Sequence, residues 1–424
     1  MRVANRTVYD TITFNLGNIT EELYKANKVV ATGKRINSLS DDPVGLTQCL
    51  AIRSSLANLE QLEKNISTAR TWLNAGESAL SGINDLLADT KVLCLQMAND
   101  SMNETDRADA AGLVDGTLRQ ILSLANTHVN GQYIFAGTKT DTRPFAFDDE
   151  ENPTKVSYSG NNSPFAVKIG KDLNVAVGRD GEEVFWDSYV VIDETNNMID
   201  FEEIWPAGPV GDVVLSATIP SGKYTPGQLA TVVQSAMRSA SSADGNSINY
   251  EVSYDPSTKA FSIQDGLGGN DLTELQLLWE TGSNAGTSVG PDIGFGESGI
   301  DDTGNTTYNG VSGVEWGLFK TLIDLKGHLE ANDVDGIQRS ITRLDFHFDN
   351  LNSTISDTGF KEIRLDIKEK VISDLNLSYM SRKSKLEDAD IIEAITELKA
   401  REVAYQAALA SAAMVMQLSL VDYL

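Results

Sequence analysis

Apolar residues recur in alternating steps of three and four positions near both ends of the chain. They are Ile12, Leu16, Ile19, Leu23, Ala26 and Val30 in the first segment, and Ile391, Ile395, Leu398, Tyr405, Leu409, Ala412 and Met416 in the last, where only Glu402 interrupts the alternation. This spacing predicts an amphipathic helix at each end, with a coiled-coil stripe along one side. The last helix would be about 50 Å long, so its stripe needs another long helix to cover it. We expect the two helices to pack together, with Ile12, Leu16, Ile19 and Leu23 facing Ile395, Leu398, Tyr405 and Leu409.

Helical spacing also continues inward from both ends. The sequence Ser40-Asp41-Asp42-Pro43 predicts a helix start, because Asp42 suits the N-cap and Pro43 the first helical position. An unbroken stripe then runs from residue 59 to residue 97, and a shorter helix over 107–128 should fold back along it. On the returning side, helices are predicted from residue 314, and the stripe of the last one ends with Ile363, Ile367, Val371, Leu375 and Leu377.

The segment 141–310 differs from the rest of the chain. It contains nine of the ten prolines, 20 of the 34 glycines, and 27 acidic against 8 basic side chains. Short apolar runs between turn residues predict strands at 155–158, 164–169, 173–177 and 184–192. From residue 212 the predicted order becomes a strand at 213–219, a helix opened by Thr225-Pro226, and strands at 248–254 and 259–263.

Together these patterns predict a mainly α fold with a β insert. Helices from both termini would form an elongated antiparallel rod or coiled coil that carries two small β-rich lobes. The predicted domains are a terminal helical coiled-coil domain for assembly (1–36 and 388–424), a helical rod domain (37–140 and 311–387), a β-rich lobe (141–211) and a second α+β lobe (212–310).

Composition argues against several classes of protein. The formal net charge of -27 and the pI near 4.4 disfavour binding to a nucleic-acid backbone, which requires concentrated Lys and Arg. The start of the chain has no signal-peptide pattern, and the apolar run at 407–420 is interrupted and too short for a membrane span. Cys49 and Cys94 would lie about 65 Å apart on one helix, so we expect no disulfide between them.

The residue patterns that catalysis or cofactor binding requires are missing or scattered. The three histidines lie on predicted helices, and 141–310 contains none, which excludes a His-based zinc site there. No Gly-x-Ser-x-Gly turn occurs. Acidic runs at 148–151 and 301–302 could hold Ca²⁺, although such runs are more often solvated loops. We interpret Trp186, Trp205 and Trp279 as core residues of the lobes in preference to a carbohydrate-binding platform. We predict no enzymatic activity, cofactor or metal centre.

Several motifs carry a family resemblance. Gly33-Lys34-Arg35-Ile36-Asn37-Ser38, followed by Ser40-Asp41-Asp42-Pro43, resembles the N-terminal signature of flagellins and flagellar hook-associated proteins. The run Gly131-Gln132-Tyr133-Ile134-Phe135-Ala136-Gly137 is similar to the narrower pattern of the hook-filament junction proteins (hook-associated protein three), as is the ending Ser419-Leu420-Val421-Asp422-Tyr423-Leu424. The signature positions are Gly33, Arg35, Asn37, Asp41, Asp42, Pro43, Tyr133, Phe135 and Gly137.

The resemblance implies a structural subunit of the bacterial flagellum that forms the junction between hook and filament by self-assembly. It implies a homo-oligomeric ring, another hook-associated protein on the hook side, flagellin or the filament cap on the distal side, and a cytoplasmic export chaperone at the C-terminal helix. The subunit would be extracellular, exported by type III secretion without a cleaved signal peptide.

The assembly interface expected from the residue pattern consists of Ile12, Leu16, Ile19, Leu23, Val30, Ile391, Ile395, Leu398, Tyr405, Leu409 and Met416. Two alternatives remain open. One is a flagellin, the bulk subunit of the filament. The other is a secreted adhesin whose stalk is the helical rod and whose insert binds a glycan.

Overall fold

A computed structural model describes residues 2–99, 101–187, 189–205, 212–266, 272–296, 300–314 and 316–421, with side chains described in these ranges except at 2–6, 8 and 415–421. The helices are α1 (Arg2–Thr32), α2 (Pro43–Met97), α3 (Glu104–Ala125), α4 (Gly181–Phe185), α5 (Pro226–Asp244), α6 (Leu318–Glu330), α7 (Val334–Glu387) and α8 (Ile391–Val421). No helix within these ranges is long and apolar enough to span a membrane. The structure is thus mainly helical at both ends of the chain, as the sequence pattern predicts.

The strands are short and lie between α3 and α6. They are β1 (His128–Val129), β2 (Gln132–Tyr133), β3 (Phe145–Phe147), β4 (Val156–Tyr158), β5 (Ala166–Lys168), β6 (Asn174–Ala176), β7 (Val190–Ile192), β8 (Met198–Ile204), β9 (Val213–Thr218), β10 (Gly222–Tyr224), β11 (Tyr250–Asp255), β12 (Ala260–Asp265), β13 (Glu274–Leu277), β14 (Asp302–Asn305) and β15 (Thr307–Asn309). All strand pairs are antiparallel.

The chain divides into two compact units, residues 1–66 with 365–424 and residues 67–364. The division differs from the predicted boundaries at 36 and 388. In the first unit, the start of α2 and the end of α7 lie alongside each other, because Arg53 pairs with Glu387 and Asn376 donates to Glu63. These helix segments therefore belong with the terminal helices instead of with the predicted rod domain.

The apolar stripe at the end of α7 is exposed. The residues that keep this segment apolar on one side, Ile363, Ile367, Val371, Leu375 and Leu377, are all exposed. The buried positions of this segment are instead Leu365 and Ile372, seven residues apart. The helix is apolar on two sides, and the longer run of apolar residues does not identify which side faces a neighbouring helix.

In the second unit the long stripe of α2 is buried as predicted, through Leu73, Leu80, Ile83, Leu87 and Cys94. Helix α3 packs against α6 and begins at an Asn103–Asp106 capping box. It ends at Ala125, before the predicted end at residue 128. The reason is a hairpin of β1 and β2 whose turn residues, Asn130 and Gly131, both have positive φ, as a type I′ turn requires.

The β region is not divided where the sequence suggested. Strand β8 pairs with β9 across the predicted boundary at 211 and 212, so 190–204 share the sheets and the core of the second lobe. Helix α5 packs on this core and starts at the predicted Thr225 cap. The predicted strand at 184–192 is also wrong in its first half. Asp180 caps the short helix α4, which includes the first two residues of that segment, Val184 and Phe185.

Candidate assembly surface and joint

Helices α1 and α8 lie side by side in the first unit, antiparallel, with Glu22 paired to Arg401 and Gly33 next to Ile391. The inward side of α1 is the predicted stripe. Ile12, Leu16, Ile19, Leu23 and Val30 are half-buried, and Ala26 is buried, whereas the residues between them are mainly exposed. The α1 half of the expected interface therefore faces α8 within the same chain.

The α8 half of the pairing is partly wrong. Leu398 and Tyr405 are half-buried as expected, but Ile391, Ile395 and Leu409 are exposed. The buried and half-buried positions are Ala394, Leu398, Arg401, Glu402, Tyr405, Ala408 and Ala412, which apart from Glu402 follow in steps of four and three. Small alanines form much of this seam, so the larger Ile and Leu side chains lie on its flank. The side chain of Met416 lies outside the described residues.

Helix α8 is not a simple amphipathic helix as predicted, because it exposes large apolar side chains on a side away from its seam. Ile392, Val403 and Met414 are 80%, 65% and 59% exposed and follow one another at intervals of eleven residues, which places them on one side of the helix. That side differs from the alanine seam. On α1, Phe14 and Tyr24 are exposed as well. Large apolar side chains are normally buried against a neighbour, so this hairpin exposes surface suited to further helices.

A buried carboxylate joins the terminal hairpin to α2 and α7. The side chain of Glu387 is almost fully buried, and its Oε1 accepts from Lys34 Nζ at 2.5 Å and from Arg53 Nη2 at 2.6 Å. The backbone of the two crossing segments also pairs, because Arg35 N donates to Glu387 O at 2.7 Å and Ala389 N donates to Gly33 O at 2.9 Å. We call this arrangement the Glu387 joint.

Electrostatics keeps the joint ionised. Burial by itself raises the pKa of Glu387, but the hydrogen bonds from Lys34 and Arg53 outweigh it and lower that pKa below its usual value. The other oxygen, Oε2, has no hydrogen-bond partner among the described residues, and Lys383 Nζ lies 4.0 Å away. The joint therefore depends on one carboxylate oxygen, Oε1, that accepts two hydrogen bonds.

The first group of signature residues builds the connection that leads into this joint. Gly33 ends α1 with φ of +66°, a conformation that favours glycine. Asp41 Oδ2 accepts from the backbone N–H groups of Asn37 and Ser38 at 2.9 and 2.7 Å. Asp42 Oδ1 accepts from Gly45 N at 2.8 Å and thereby caps α2, whose first residue is Pro43. Their geometry is that of a fixed turn.

Arg35 links this turn to the end of α7. Its Nη2 donates to Leu386 O at 2.9 Å and lies 3.3 Å from Asp42 Oδ2. The hydrogen bond from Gly45 N, together with Arg35, lowers the pKa of Asp42. A side-chain hydrogen bond from Ser38 and backbone N–H groups likewise lower the pKa of Asp41. In this signature, the carboxylates of Asp41 and Asp42 thus fix the backbone of the turn.

The second group of signature residues lies in the second unit and also has structural contacts. Tyr133 pairs with His128 in the β1–β2 hairpin. Phe135 is fully buried, 5.4 Å from the ring of Phe185. Gly137 has φ of +65°, and a Cβ there would lie 2.1 Å from the Asn161 carbonyl oxygen. These residues shape the connection between α3 and the first strands.

The candidates for other chemistry are accounted for by local contacts. Asp148 accepts from Thr154 and Lys155, and Asp301 accepts from Glu280 and Thr281, so these acidic loops use their carboxylates to bind their own backbone. No group of three or more potential metal ligands occurs within the described ranges. Trp279 is buried in the second lobe and Trp205 packs against its core, whereas Trp186 lines a cleft. Sequence reasoning did not foresee the buried Glu387 or the exposed side of α8, although an apolar residue at every eleventh position signalled the latter.

Residues 3–140 match the family model of the bacterial flagellin N-terminal helical region. Flagellar hook-associated protein 3 of Escherichia coli (strain K12) is 29% identical over 186 residues, covering 44% of this chain and 57% of that protein. The protein of the same name from Salmonella typhimurium (strain LT2) is 26% identical with the same coverage. The chain thus spans little more than half the length of these curated relatives.

Among solved structures, the flagellar junction protein FlgL from Legionella pneumophila aligns with a TM-score of 0.47 and 19% identity, covering 81% of this chain and all of that one. The family match contains both groups of signature residues and ends three positions after Gly137. The resemblance that the motifs indicated is confirmed: residues 3–140 match the flagellin N-terminal helical region, and the chain is similar to flagellar hook-associated protein 3.

Proposed function

We propose that this protein is a structural subunit of the bacterial flagellum that forms the junction between hook and filament. One observation carries the proposal beyond similarity, namely that the α1–α8 hairpin exposes large apolar side chains on sides that face away from its own seam. Fully burying a Val, Ile, Phe or Met side chain stabilises a contact by about 1.5–3 kcal/mol. Several such residues per subunit are enough to drive association once neighbouring hairpins cover them.

In this proposal the assembly interface has two parts. The predicted residues Ile12, Leu16, Ile19, Leu23, Val30, Leu398 and Tyr405 hold the hairpin together, and Ile391, Ile395 and Leu409, with Ile392 and Val403, face other subunits. The same exposed surface of α8 would be covered by a chaperone before export. A ring of identical subunits, a hook-associated protein on the hook side and flagellin or the cap on the distal side complete the proposed partners.

The proposed location is the extracellular flagellum, reached through the flagellum-specific export channel. The charge of the insert suits a position on the outer, solvent-facing side of the assembly. Segment 141–310 carries 27 acidic and 8 basic side chains, so the inserts of adjacent subunits would repel one another. No enzymatic role is part of the proposal. The relatives named above are structural flagellar proteins.

The test introduces one charge on the exposed side of α8. Val403→Asp should abolish assembly, because burying an unpaired carboxylate in a helix interface is costly. Ser411→Asp, on an exposed polar position of the same helix, is the matched control. Flagella of strains that express each variant in place of the native chain are examined by electron microscopy. We expect hooks without filaments and flagellin in the medium for Val403→Asp, and normal filaments for Ser411→Asp.

Normal filaments with Val403→Asp would contradict the proposed interface. A strain that lacks the protein tests the function itself, and filaments attached to hooks in that strain would overturn the junction role. The second candidate is a filament subunit, which the match to the flagellin N-terminal region favours. Gold-labelled antibody distinguishes the two, because it marks one point near the hook for a junction protein and the whole filament for a flagellin.

A further inference from the structure

The second unit contains an aromatic and acidic cleft of about 420 Å³ that the assembly role does not use. Its aromatic walls are Trp186, Trp316 and Tyr254. Its charged side chains, among the described residues, are Asp180, Glu182, Glu183, Asp187 and Lys259, four acids against one base. A volume of this size suits a small organic molecule, and the charge balance favours a cation.

The floor of the cleft is built by two chain segments that pair through their backbones. Trp186 forms an antiparallel bridge with Gly317, and Asp187 N donates to Trp316 O at 2.9 Å. The Trp186 ring stacks on Phe145 at 5.6 Å, and Trp316 Nε1 donates to Asp292 O at 2.8 Å. Both indoles are therefore fixed before any ligand arrives, which reduces the entropic cost of binding.

Asp187 lines both this cleft and a neighbouring cavity that contains His347 and Arg343. Its side chain is only 9% exposed, and its carboxylate accepts no well-formed hydrogen bond from the described residues. His347 Nδ1 lies 3.5 Å from its Oδ2. Burial, together with the charge of Arg343, lowers the pKa of His347 to about 3, so that ring is neutral near pH 7. A buried carboxylate normally has a partner, because leaving it unpaired is costly.

The two cations whose charges lower the pKa of Asp187, Lys223 and Arg343, have other partners. Arg343 pairs with Asp292 and with Asp324. The ammonium group of Lys223 lies over the rings of Phe346 and Tyr189, at 4.3 and 5.3 Å from their centroids. Burial raises the pKa of Asp187 to about 7 in spite of these two charges. Asp180 differs from it, because its carboxylate accepts from Glu182 N and from the Tyr158 hydroxyl.

We propose that this cleft binds a small aliphatic ammonium ion, with Asp187 as its counter-ion and the Trp186, Trp316 and Tyr254 rings around its methylene or methyl groups. Aromatic faces attract ammonium groups and carboxylates accept hydrogen bonds from them. A divalent metal ion suits the cleft less well, because it requires several oxygen ligands and the walls present indole and phenol rings. The proposal is independent of the junction role.

Cadaverine, a primary diamine, is the probe, and 1-pentanol is the uncharged control of similar length. Binding to the full chain is followed by titration calorimetry and by tryptophan fluorescence at low ionic strength. We expect saturable binding of cadaverine with a Kd of about 1 mM or tighter, and none of pentanol. Asp187→Asn should raise the Kd of cadaverine at least about tenfold, since it removes a charge-assisted hydrogen bond.

Asp149→Asn is the matched variant, because it removes one charge from an exposed loop of the same unit and should leave the Kd unchanged. Equal weakening by the two variants would mean that cadaverine responds only to the overall negative charge, and this overturns the proposal. Lack of saturation, pentanol binding as tightly as cadaverine, or displacement of cadaverine by equimolar CaCl₂ would overturn it too. Nα-acetyl-lysine amide, if it binds more tightly than cadaverine, would identify a lysine side chain of a polypeptide as the source of the ammonium group.

Discussion

The second lobe and the terminal hairpin use apolar residues in opposite ways. The lobe buries Phe201, Tyr250 and Trp279 within its own sheets and helix. The hairpin buries mostly alanines along its seam and leaves Phe14 and Ile392 exposed. The lobe therefore has a core of its own, whereas the hairpin gains much of its stability only when other chains cover it. The same 424-residue sequence combines a self-sufficient domain with an incomplete one.

The largest effect on this comparison is expected from the core of the lobe. Phe201 is fully buried on β8, with its ring 5.4 Å from that of Tyr250. Phe201→Ala should cost about 3–5 kcal/mol of the free energy of unfolding of the lobe, because it removes a buried ring and leaves a cavity. Near-ultraviolet circular dichroism during thermal unfolding measures this. An unchanged melting temperature would contradict the claim that the lobe is self-sufficient.

A second, pH-dependent effect is expected at Asp187. Its pKa is raised to about 7, so the folded state holds this proton more tightly than the unfolded state, and the stability that this contributes is lost as the pH rises from about 4 to about 7. Asp187→Asn should therefore stabilise the second unit at pH 8 by on the order of 3 kcal/mol, and by little at pH 4.

Denaturant titrations at the two pH values measure this difference. His347, with a lowered pKa, has the opposite dependence, since its contribution is lost as the pH falls from about 6.5 to about 3. The effect of Asp187 must therefore be taken as the difference between the variant and the native chain at each pH. A difference that does not change with pH would contradict the assignment.

The Glu387 joint should give a smaller effect, confined to the first unit. Glu387→Gln leaves Lys34 and Arg53 without their shared charge, but both are nearly half exposed and can be solvated, so we expect about 1–2 kcal/mol. Faster hydrogen exchange in α1 and α8, with unchanged exchange in α5, would show it. Glu393→Gln, on an exposed position of α8, is the control. Equal hydrogen exchange in both variants would contradict a stabilising role of the Glu387 joint.

The smallest effect on the free chain is expected at the exposed residues of the hairpin. Phe14 is 68% exposed, so Phe14→Ala should change the unfolding free energy by less than about 0.5 kcal/mol. Assembly should nevertheless weaken, because the ring is available to a neighbouring subunit. Sedimentation of the purified variant measures assembly, and thermal unfolding measures stability. A large loss of stability in the monomer would show that this side of α1 already has a partner within the chain.

Much of the fold could be predicted from the sequence, since long stripes such as Leu73 to Cys94 leave one orientation for a helix, and Pro43 and Thr225 mark helix starts. The choice of face on α7 and α8 could not be predicted. Both helices are apolar on more than one side, and periodicity alone does not state which side meets a neighbour. The lobe boundary near 211 also needed the structure, because β8 and β9 pair across it. The burial of Glu387 could not be predicted either, because nothing in the sequence distinguishes it from the other Asp and Glu residues, which number 61 in total.

The spacing of Ile392, Val403 and Met414 affects the handedness of packing. A repeat of three and four residues, as in the α8 seam, produces a left-handed supercoil, whereas a repeat of eleven residues produces a right-handed one. A helix that followed the eleven-residue repeat would therefore wind around α8 in the opposite sense to α1.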